Sequence, residues 1–340
     1  MNSEEKFVLG VLTGAATLLA GMHVVRARRA IDFAGRVVVI TGGSRGLGLV
    51  LARRFAAEGA HLCLLARDET ELARAREELA GSSGEIMTVS CDIRRRADVR
   101  AAIDTVLDNW SAIDVLINNA GVIQVGPLEH MSTLDFENAM ATHFWGPLHL
   151  MFESVPSMRR RGFGRIVNIA SIGGRIAVPH MAPYSASKFA LVGLSDAVRA
   201  ELDQYGICVT TVTPGLMRTG APRNADVKGK HEAEYGWFVV ADSLPALSTS
   251  AESAARQIVE ACRYGDPELT ITLPARIAMM ANSVAPAAVA RAMQLANRLL
   301  PGPSGADGDV RKRGRDAESK WIPPAVTVLT DRAAVANNEM

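Results

Sequence analysis

The alternation of short apolar runs with longer amphipathic stretches constrains the fold of this chain more than any other feature. Between Arg36 and about Leu273, β-branched apolar runs are separated by stretches with apolar residues at three- and four-residue spacing. This pattern is typical of a parallel sheet covered by helices on both faces, whose strands are apolar throughout. We therefore predict an α/β fold with one doubly wound, seven-stranded parallel sheet. The predicted strands are Val37–Ile40, His61–Leu65, Ile86–Ser90, Val115–Ile117, Arg165–Ile169, Val209–Val212 and Leu269–Leu273.

The α/β pattern occupies residues 34–274 and leaves three other segments in the 340-residue chain. Residues 1–30 contain an apolar segment, residues 275–300 are apolar enough for a docking, dimer or membrane-contacting helix, and residues 301–340 are predicted to be a flexible tail. Within the main pattern, Pro147 and Pro156 are expected to kink or break the helical stretch 134–160. The aromatic-bearing insert 220–250 follows a strand and is predicted to close over a ligand.

The apolar segment at residues 7–25 is uncharged and at the lower length limit for a transmembrane helix. Three arginines follow it, and the positive-inside tendency would keep the main domain in the cytoplasm, anchored to the inner face of a membrane. A helix lying on the domain or on the membrane surface is the alternative. The leader before residue 7 carries two glutamates and one lysine, which disfavours a cleavable signal peptide.

The charges of the chain are balanced. Lys and Arg total 37 against 36 for Asp and Glu, so the formal net charge is +1 and no global field would attract nucleic acid. No spacing of His, Cys and carboxylates suggests a metal site. We expect neither nucleic acid nor metal as a partner, and an anionic ligand would need a local site.

A glycine-rich turn, TGGSRGLG from Thr41 to Gly48, follows the first predicted strand directly. Gly42 permits a tight turn, Gly46 allows a pyrophosphate to approach the backbone, and Gly48 lets the following helix pack close to the strand. Amide groups at the start of that helix would face the phosphates. A plain glycine-rich turn is the alternative interpretation. The predicted dinucleotide contacts in this turn are Gly42, Ser44, Arg45, Gly46, Leu47 and Gly48.

The end of the second strand bears on the choice between NAD and NADP. NAD sites usually place Asp or Glu there, to bind the free ribose hydroxyls, whereas this chain has Ala66 followed by Arg67. The missing carboxylate, together with Arg45 and Arg67, favours the 2′-phosphate of NADP(H). The alternative is that Arg67 is a surface residue, that Asp68 binds the ribose, and that NAD(H) is used.

Tyr184 and Lys188 lie four residues apart in a helical stretch and therefore on one helix face. A free tyrosine has a pKa of about 10, so it needs a neighbouring positive charge to act as an acid or base near neutral pH. Lys188 provides that charge. Ser171, at the end of a predicted strand, is placed to donate a hydrogen bond to a substrate oxygen.

These motifs together resemble the short-chain dehydrogenase/reductase family. The resemblance covers about two thirds of the chain and adds the NNAG sequence from Asn118 to Gly121 and the segment from Pro214 to Thr219. It implies a Rossmann fold, an NADP-binding catalytic domain, and interconversion of a carbonyl and an alcohol. It also implies that Lys188 holds the nicotinamide ribose beside Tyr184. The other cofactor contacts that it implies are Asp92, Ile93, Asn119, Ala120, Gly121, Pro214, Gly215 and Thr219.

One position departs from the family pattern. An asparagine that helps to relay protons commonly follows the NNAG motif, and alignment on Gly146 places His143 there. A histidine can relay a proton through either ring nitrogen. The alternative is that His143 fills a polar notch. The departure puts the relay in doubt, and hydride transfer is unaffected.

The sequence thus predicts an NADP(H)-dependent oxidoreductase that acts on a small carbonyl or alcohol substrate, in which Ser171, Tyr184, Lys188 and His143 carry the catalysis. The apolar, aromatic insert favours a hydrophobic substrate. We also expect a homo-oligomer. The alternatives are an NAD-preferring alcohol dehydrogenase and a weakly active cofactor-binding scaffold, which the intact Ser171, Tyr184 and Lys188 disfavour.

Overall fold

A seven-stranded parallel sheet forms the centre of the computed structural model, which describes residues 21, 24–318 and 322–340. The strand order is β7-β6-β5-β4-β1-β2-β3, and every neighbouring pair is parallel. The doubly wound α/β sheet is therefore confirmed. The strands are β1 (Val37–Thr41), β2 (His61–Ala66), β3 (Ile86–Ser90), β4 (Val115–Asn118), β5 (Gly164–Ile169), β6 (Ile207–Pro214) and β7 (Glu268–Ile271).

The last predicted strand differs from the observed one at its end. The prediction extended it to Leu273, whereas β7 ends at Ile271. Thr272 adopts a left-handed conformation (φ +80°), and its side chain accepts a hydrogen bond from the Ala275 amide, so it caps the next helix. The local cap therefore overrides the apolar pattern.

Helices cover both faces of the sheet. Successive side chains of a strand point to opposite faces, and here the side chains on both faces are apolar. In β1, Val38 and Ile40 pack on one side and Val37 and Val39 on the other, and all four are buried. The helices are α1 (Gly46–Ala57), α2 (Glu69–Glu78), α3 (Arg96–Trp110), α4 (Thr133–Met140), α5 (Gly146–Arg161), α6 (Ala182–Leu202), α7 (His231–Ser243), α8 (Ala251–Tyr264), α9 (Leu273–Val284), α10 (Pro286–Asn297) and α11 (Pro324–Ala336).

The two prolines of the long helical stretch have different effects. A π-helical turn, Ala141–Trp145, separates α4 from α5, and Pro147 follows it in the first turn of α5. Proline is tolerated there because the first turn does not use its missing amide. Pro156 lies inside α5 and does not end it, so the helix is not broken at that position. π-turns inside helices are frequent at functional sites.

Within the described residues 301–318 and 322–340, the C-terminal region is folded against the rest of the chain, which differs from the predicted flexible tail 301–340. Lys312–Arg313 pairs with Asp226–Val227 of the insert, and α11 packs against α7. Thr330 of α11 is fully buried and hydrogen-bonds to Ser243 at 2.9 Å. Polar composition predicted disorder, but pairing with the insert gives this segment a surface on which to bury its few apolar side chains.

The two apolar segments that were predicted to contact other surfaces remain predictions. Residues 275–300 form most of α9 and α10, which leave Leu273, Ile277, Met280 and Val284 exposed along one face. Most of the segment 7–25 lies outside the described residues. Within the described part of the chain, no helix is long and apolar enough to cross a bilayer.

Candidate active site

The strand order brings the predicted motifs to one edge of the sheet. The direction of winding reverses between β1 and β4, and ligands of doubly wound sheets bind in the crevice at that point. The glycine turn follows β1, the NNAG motif follows β4, Ser171 follows β5, and Pro214 ends β6. Because β1, β4, β5 and β6 are neighbours, their carboxyl ends form one continuous crevice.

The glycine turn has the close approaches that its residues predict. Gly42 and Gly46 have positive φ angles of 63° and 55°. A Cβ atom at Gly48 would overlap the Gly42 carbonyl oxygen, so only glycine fits where α1 meets the turn. α1 begins at Gly46 with Arg45 as its N-cap residue, and Ser44 and Leu47 are buried. The glycines of the turn therefore place backbone without side chains next to a helix N-terminus, which is an arrangement that suits the phosphates of a dinucleotide.

The NNAG motif fixes the glycine turn from the neighbouring strand. The Asn119 side-chain amide donates to the Thr41 carbonyl at 3.0 Å and the Gly42 carbonyl at 3.3 Å. In return the Thr41 hydroxyl accepts from the Asn119 and Ala120 amides. The sequence reasoning overlooked this role of Thr41, although a hydroxyl residue at the end of a strand was a usable signal. The NNAG motif thus holds the glycine turn in place. Gly121 of the motif lies against His143.

Tyr184 and Lys188 lie on α6 and face the end of β5. The Lys188 ammonium group donates to the Ile169 carbonyl at 2.7 Å and lies 5.8 Å from the centre of the Tyr184 ring. The Tyr184 hydroxyl is hydrogen-bonded to the Ser171 side chain, and Ser171 Oγ also accepts from the Gly173 amide at 3.0 Å. The structure therefore brings together the three residues that the spacing singled out.

Burial shifts the pKa values of both α6 residues. Loss of water lowers the pKa of Lys188 to about 7. Loss of water also raises the pKa of Tyr184, and the hydrogen bond from Ser171 opposes that rise. Tyr184 is therefore a protonated acid at neutral pH in this state, which is the form required to protonate a carbonyl oxygen.

His143 lies in the π-helical turn and is almost fully buried. Its Nε2 atom accepts a hydrogen bond from the Val122 amide at 3.1 Å, so the proton of the neutral ring is on Nδ1. Nδ1 donates to Ser187 Oγ at 2.7 Å, and that hydroxyl donates to the Tyr184 carbonyl at 2.8 Å. Burial, with Lys188 nearby, holds the pKa of His143 well below its usual range.

These contacts bear on the predicted proton relay. A backbone amide has no proton to pass on near neutral pH, and both ring nitrogens are occupied. The geometry therefore favours the alternative, in which His143 fills a polar position and links the loop after β4 to α6. Ser187, the partner that the sequence reasoning missed, stands between Tyr184 and Lys188 and carries no motif signal by itself.

Of the side chains predicted to contact the adenosine part of the cofactor, Arg67 is exposed, whereas Asp68 and Asp92 are bonded to neighbouring groups. Arg67 follows β2 and is exposed. Asp68 accepts from the Glu71 amide at 2.9 Å as the N-cap of α2, which ties its carboxylate to the helix. The Asp92 carboxylate is paired with Arg94, which holds its pKa below the usual range. Ile93 is buried and would contact any side chain at Gly146.

The Arg45 side chain is paired with carboxylates. Its guanidinium group pairs with Glu71 at 2.7 Å and with Glu339 at 3.3 Å, and the Ser44 hydroxyl donates to the same Glu71 carboxylate at 2.8 Å. Arg45 is thus engaged by two carboxylates. No local signal in the sequence indicated either pairing.

The segment after β6 closes the crevice on its other side. The Gly215 amide donates to the Ile271 carbonyl at 3.0 Å, and a Cβ atom at Gly215 would overlap the Thr272 hydroxyl. The Thr219 hydroxyl accepts from the Ala221 amide at 3.2 Å. Pro214, Gly215 and Thr219 therefore lie between β6 and the insert.

The crevice fits a nicotinamide dinucleotide. It offers a helix N-terminus above backbone without side chains, a Tyr–Lys pair on one helix face, and the Ser171 hydroxyl at the end of β5. This arrangement supports hydride transfer to or from a carbon whose oxygen exchanges a proton with Tyr184. It defines a class of enzyme, the oxidoreductases that interconvert carbonyls and alcohols with a nicotinamide cofactor.

Comparison with known proteins shows the family. Residues 36–228 match the family model described as short chain dehydrogenase, and the chain belongs to this family. It is 36% identical over 255 residues to dehydrogenase/reductase SDR family member 7B of Danio rerio, covering 73% of this chain and 81% of that protein. It is 32% identical over 238 residues to the ketoacyl reductase HetN of Nostoc sp., covering 70% of this chain and 78% of that protein.

Solved structures share the architecture. L-sorbose reductase from Gluconobacter frateurii, complexed with NADPH and L-sorbose, aligns with a TM-score of 0.63 and 26% identity, covering 71% of this chain and 97% of that one. A metagenomic short-chain oxidoreductase in complex with NADP aligns with a TM-score of 0.58 and 28% identity, covering 72% of this chain and all of that one. The chain is therefore a Rossmann-fold oxidoreductase that uses a nicotinamide cofactor and a small-molecule substrate.

Proposed function

We propose that this protein is an NADP(H)-dependent carbonyl reductase for hydrophobic substrates. The observation that carries the proposal is the position of Tyr184, which is hydrogen-bonded to Ser171 and packed among apolar side chains. The cofactor, when bound, supplies or accepts the hydride. Tyr184 donates the proton to the substrate oxygen, Ser171 orients that oxygen, and Lys188 stabilises the phenolate that remains.

The apolar surroundings of Tyr184 support a hydrophobic substrate. The group that packs together with Tyr184 comprises Ile123, Val125, Val178, Met181, Ala225, Trp237 and Phe238. Trp237 and Phe238 come from α7 of the insert, which supports its predicted role as a covering element. The buried Glu234 of α7 accepts from His180 Nδ1 at 2.9 Å and from the Trp237 indole at 2.8 Å, and so fixes α7 to the loop before α6.

The experiment that tests the proposal is a titration with NADPH and NADH followed by assays on a series of aliphatic ketones. Burial of each added methylene is worth about 0.8 kcal/mol, so kcat/KM should rise about fourfold per methylene until the apolar site is filled. We expect tighter binding of NADPH than of NADH. A series without dependence on chain length would contradict the hydrophobic substrate, and binding of neither dinucleotide would contradict the enzyme assignment.

We assign the preference for NADP(H) over NAD(H) to a contact between Arg67 and the 2′-phosphate. Arg67 is the exposed arginine at the end of β2, whereas Arg45 is engaged by Glu71 and Glu339. The Glu71 carboxylate beside Ser44 is the observation that favours the NAD-preferring alternative, because it would repel a 2′-phosphate.

Arg67→Asp is expected to reverse the cofactor preference. The new carboxylate would repel the 2′-phosphate and accept bonds from free ribose hydroxyls, so the NADPH/NADH affinity ratio should fall by about 100-fold or more, since lost charge pairing and new repulsion add. The ratio is measured by calorimetric titration. Arg74→Asp, at an exposed position of α2, makes the same charge change and should leave the ratio within about twofold. An unchanged ratio in Arg67→Asp would show that another residue reads the phosphate.

A further inference from the structure

The last residues of the chain lie on the glycine turn. The Gly46 amide, the first of α1, donates to the Asn337 carbonyl at 2.8 Å. The Asn338 side chain donates to the Ser44 carbonyl at 2.9 Å. The Glu339 carboxylate covers the face of Gly46 where a Cβ atom would project. The C-terminal segment 337–339 therefore contacts the same backbone that is predicted to receive the dinucleotide phosphates.

Glu339 is held at this position by polar side chains. Its side chain is 6% exposed and accepts from the Asn224 amide at 2.6 Å and pairs with Arg45 at 3.3 Å. The Glu339 carboxyl group thus fills space beside the helix N-terminus, where a cofactor phosphate is expected.

We propose that the C-terminal segment 337–339 is an autoinhibitory element that occupies the phosphate site of the glycine turn and must leave before the dinucleotide binds. The inference rests on the proposed function, because it takes the glycine turn as the cofactor site. Segment and cofactor compete for the Gly46 amide and for the space beside it. The apparent affinity for the cofactor is then reduced by the fraction of molecules in which the segment is docked.

Segment 337–339 is connected through α11 to α7, the helix of the insert that is predicted to cover the substrate. It follows α11, whose Thr330 hydrogen-bonds to Ser243 at 2.9 Å and to Asp242 at 3.2 Å, both at the end of α7. Ala334 of α11 fills the space above Gly220, where no side chain would fit. The segment is therefore continuous with the helix that packs on α7.

The contacts of the docked Glu339 carboxylate do not fully offset its loss of water. Burial raises the pKa of Glu339 to about 7, and the charge of Glu71 on α2 adds to the rise, while Arg45 and Asn224 oppose it. The docked state therefore binds a proton more tightly than the released carboxyl group. Docking is strongest at low pH and weakens as the pH rises through about 7.

The test compares NADPH binding to the full chain and to a chain that ends at Ala334, which keeps Thr330 and Ala334 but lacks the segment. We expect the shorter chain to bind NADPH at least about fivefold more tightly. The ratio of the two dissociation constants should be larger at pH 6 than at pH 8, and titration of the cofactor phosphate itself cancels in that ratio. Glu339→Ala in the full chain should shift the affinity in the same direction.

Glu318→Gln is the matched control, because this exposed carboxylate of the same region pairs with Arg223 and not with the glycine turn. A second measurement follows hydrogen exchange of residues 330–340, which should become faster when NADPH is added to the full chain. Equal or weaker NADPH binding by the shorter chain, or unchanged exchange, would overturn the inference and leave the reductase assignment intact. If no variant binds NADPH or NADH, both the assignment and the inference fail.

Discussion

Tyr184→Phe is expected to lose about 10²- to 10⁴-fold in turnover while it still binds NADPH. The substitution removes the one hydroxyl group that bonds to Ser171 and can protonate the substrate oxygen, and it leaves the ring packed among the apolar side chains around it. Turnover is measured with saturating NADPH and a hydrophobic ketone, and binding is measured by titration.

Tyr205→Phe is the control for this experiment. Tyr205 lies just beyond α6, stacks with Arg159 and has no part in the crevice, so its loss should leave turnover unchanged within about twofold. If Tyr184→Phe retains turnover, another group protonates the substrate and the proposed mechanism is wrong. If it loses NADPH binding as well, Tyr184 has a larger part in holding the cofactor than in proton transfer.

Gly48→Ala is expected to remove most cofactor affinity and to destabilise the fold. The added Cβ atom overlaps the Gly42 carbonyl oxygen and crowds the Asn119 side-chain amide at 2.7 Å, and neither group can move without disturbing the turn. Overpacking of this kind typically costs about 1–3 kcal/mol. We expect a loss of that size in the free energy of unfolding, and NADPH affinity lower by about tenfold or more because the turn is displaced.

Gly193→Ala is the matched control. Gly193 lies on α6, and a Cβ atom there meets no other atom within 4 Å. Replacing a helical glycine by alanine in open space should stabilise the protein by about 0.5–1 kcal/mol and leave NADPH affinity unchanged. The two variants are compared by urea denaturation and by titration. Full NADPH affinity in Gly48→Ala would show that the turn does not need the close helix contact that the structure has.

The parallel sheet and the order of the motifs along it follow from local features of the sequence. Strands buried on both faces must be apolar, and a parallel sheet places every strand-to-helix turn at one edge. The prediction therefore placed Thr41–Gly48 and Ser171 at the ends of strands. The four-residue spacing of Tyr184 and Lys188 is a local property of helices, so it too was readable.

Contacts between residues far apart in the chain became visible in the folded structure and not before. The partners of His143 come from two different elements, and Arg45 is engaged by Glu71 and by Glu339, which lies almost 300 residues away. Sequence periodicity carries no information about such pairs, because it reports which side of an element is buried and not what covers it. For the same reason, the polar composition of residues 301–320 predicted a flexible tail. The insert and the glycine turn offer surfaces that give residues 312–313 and 337–339 a folded position.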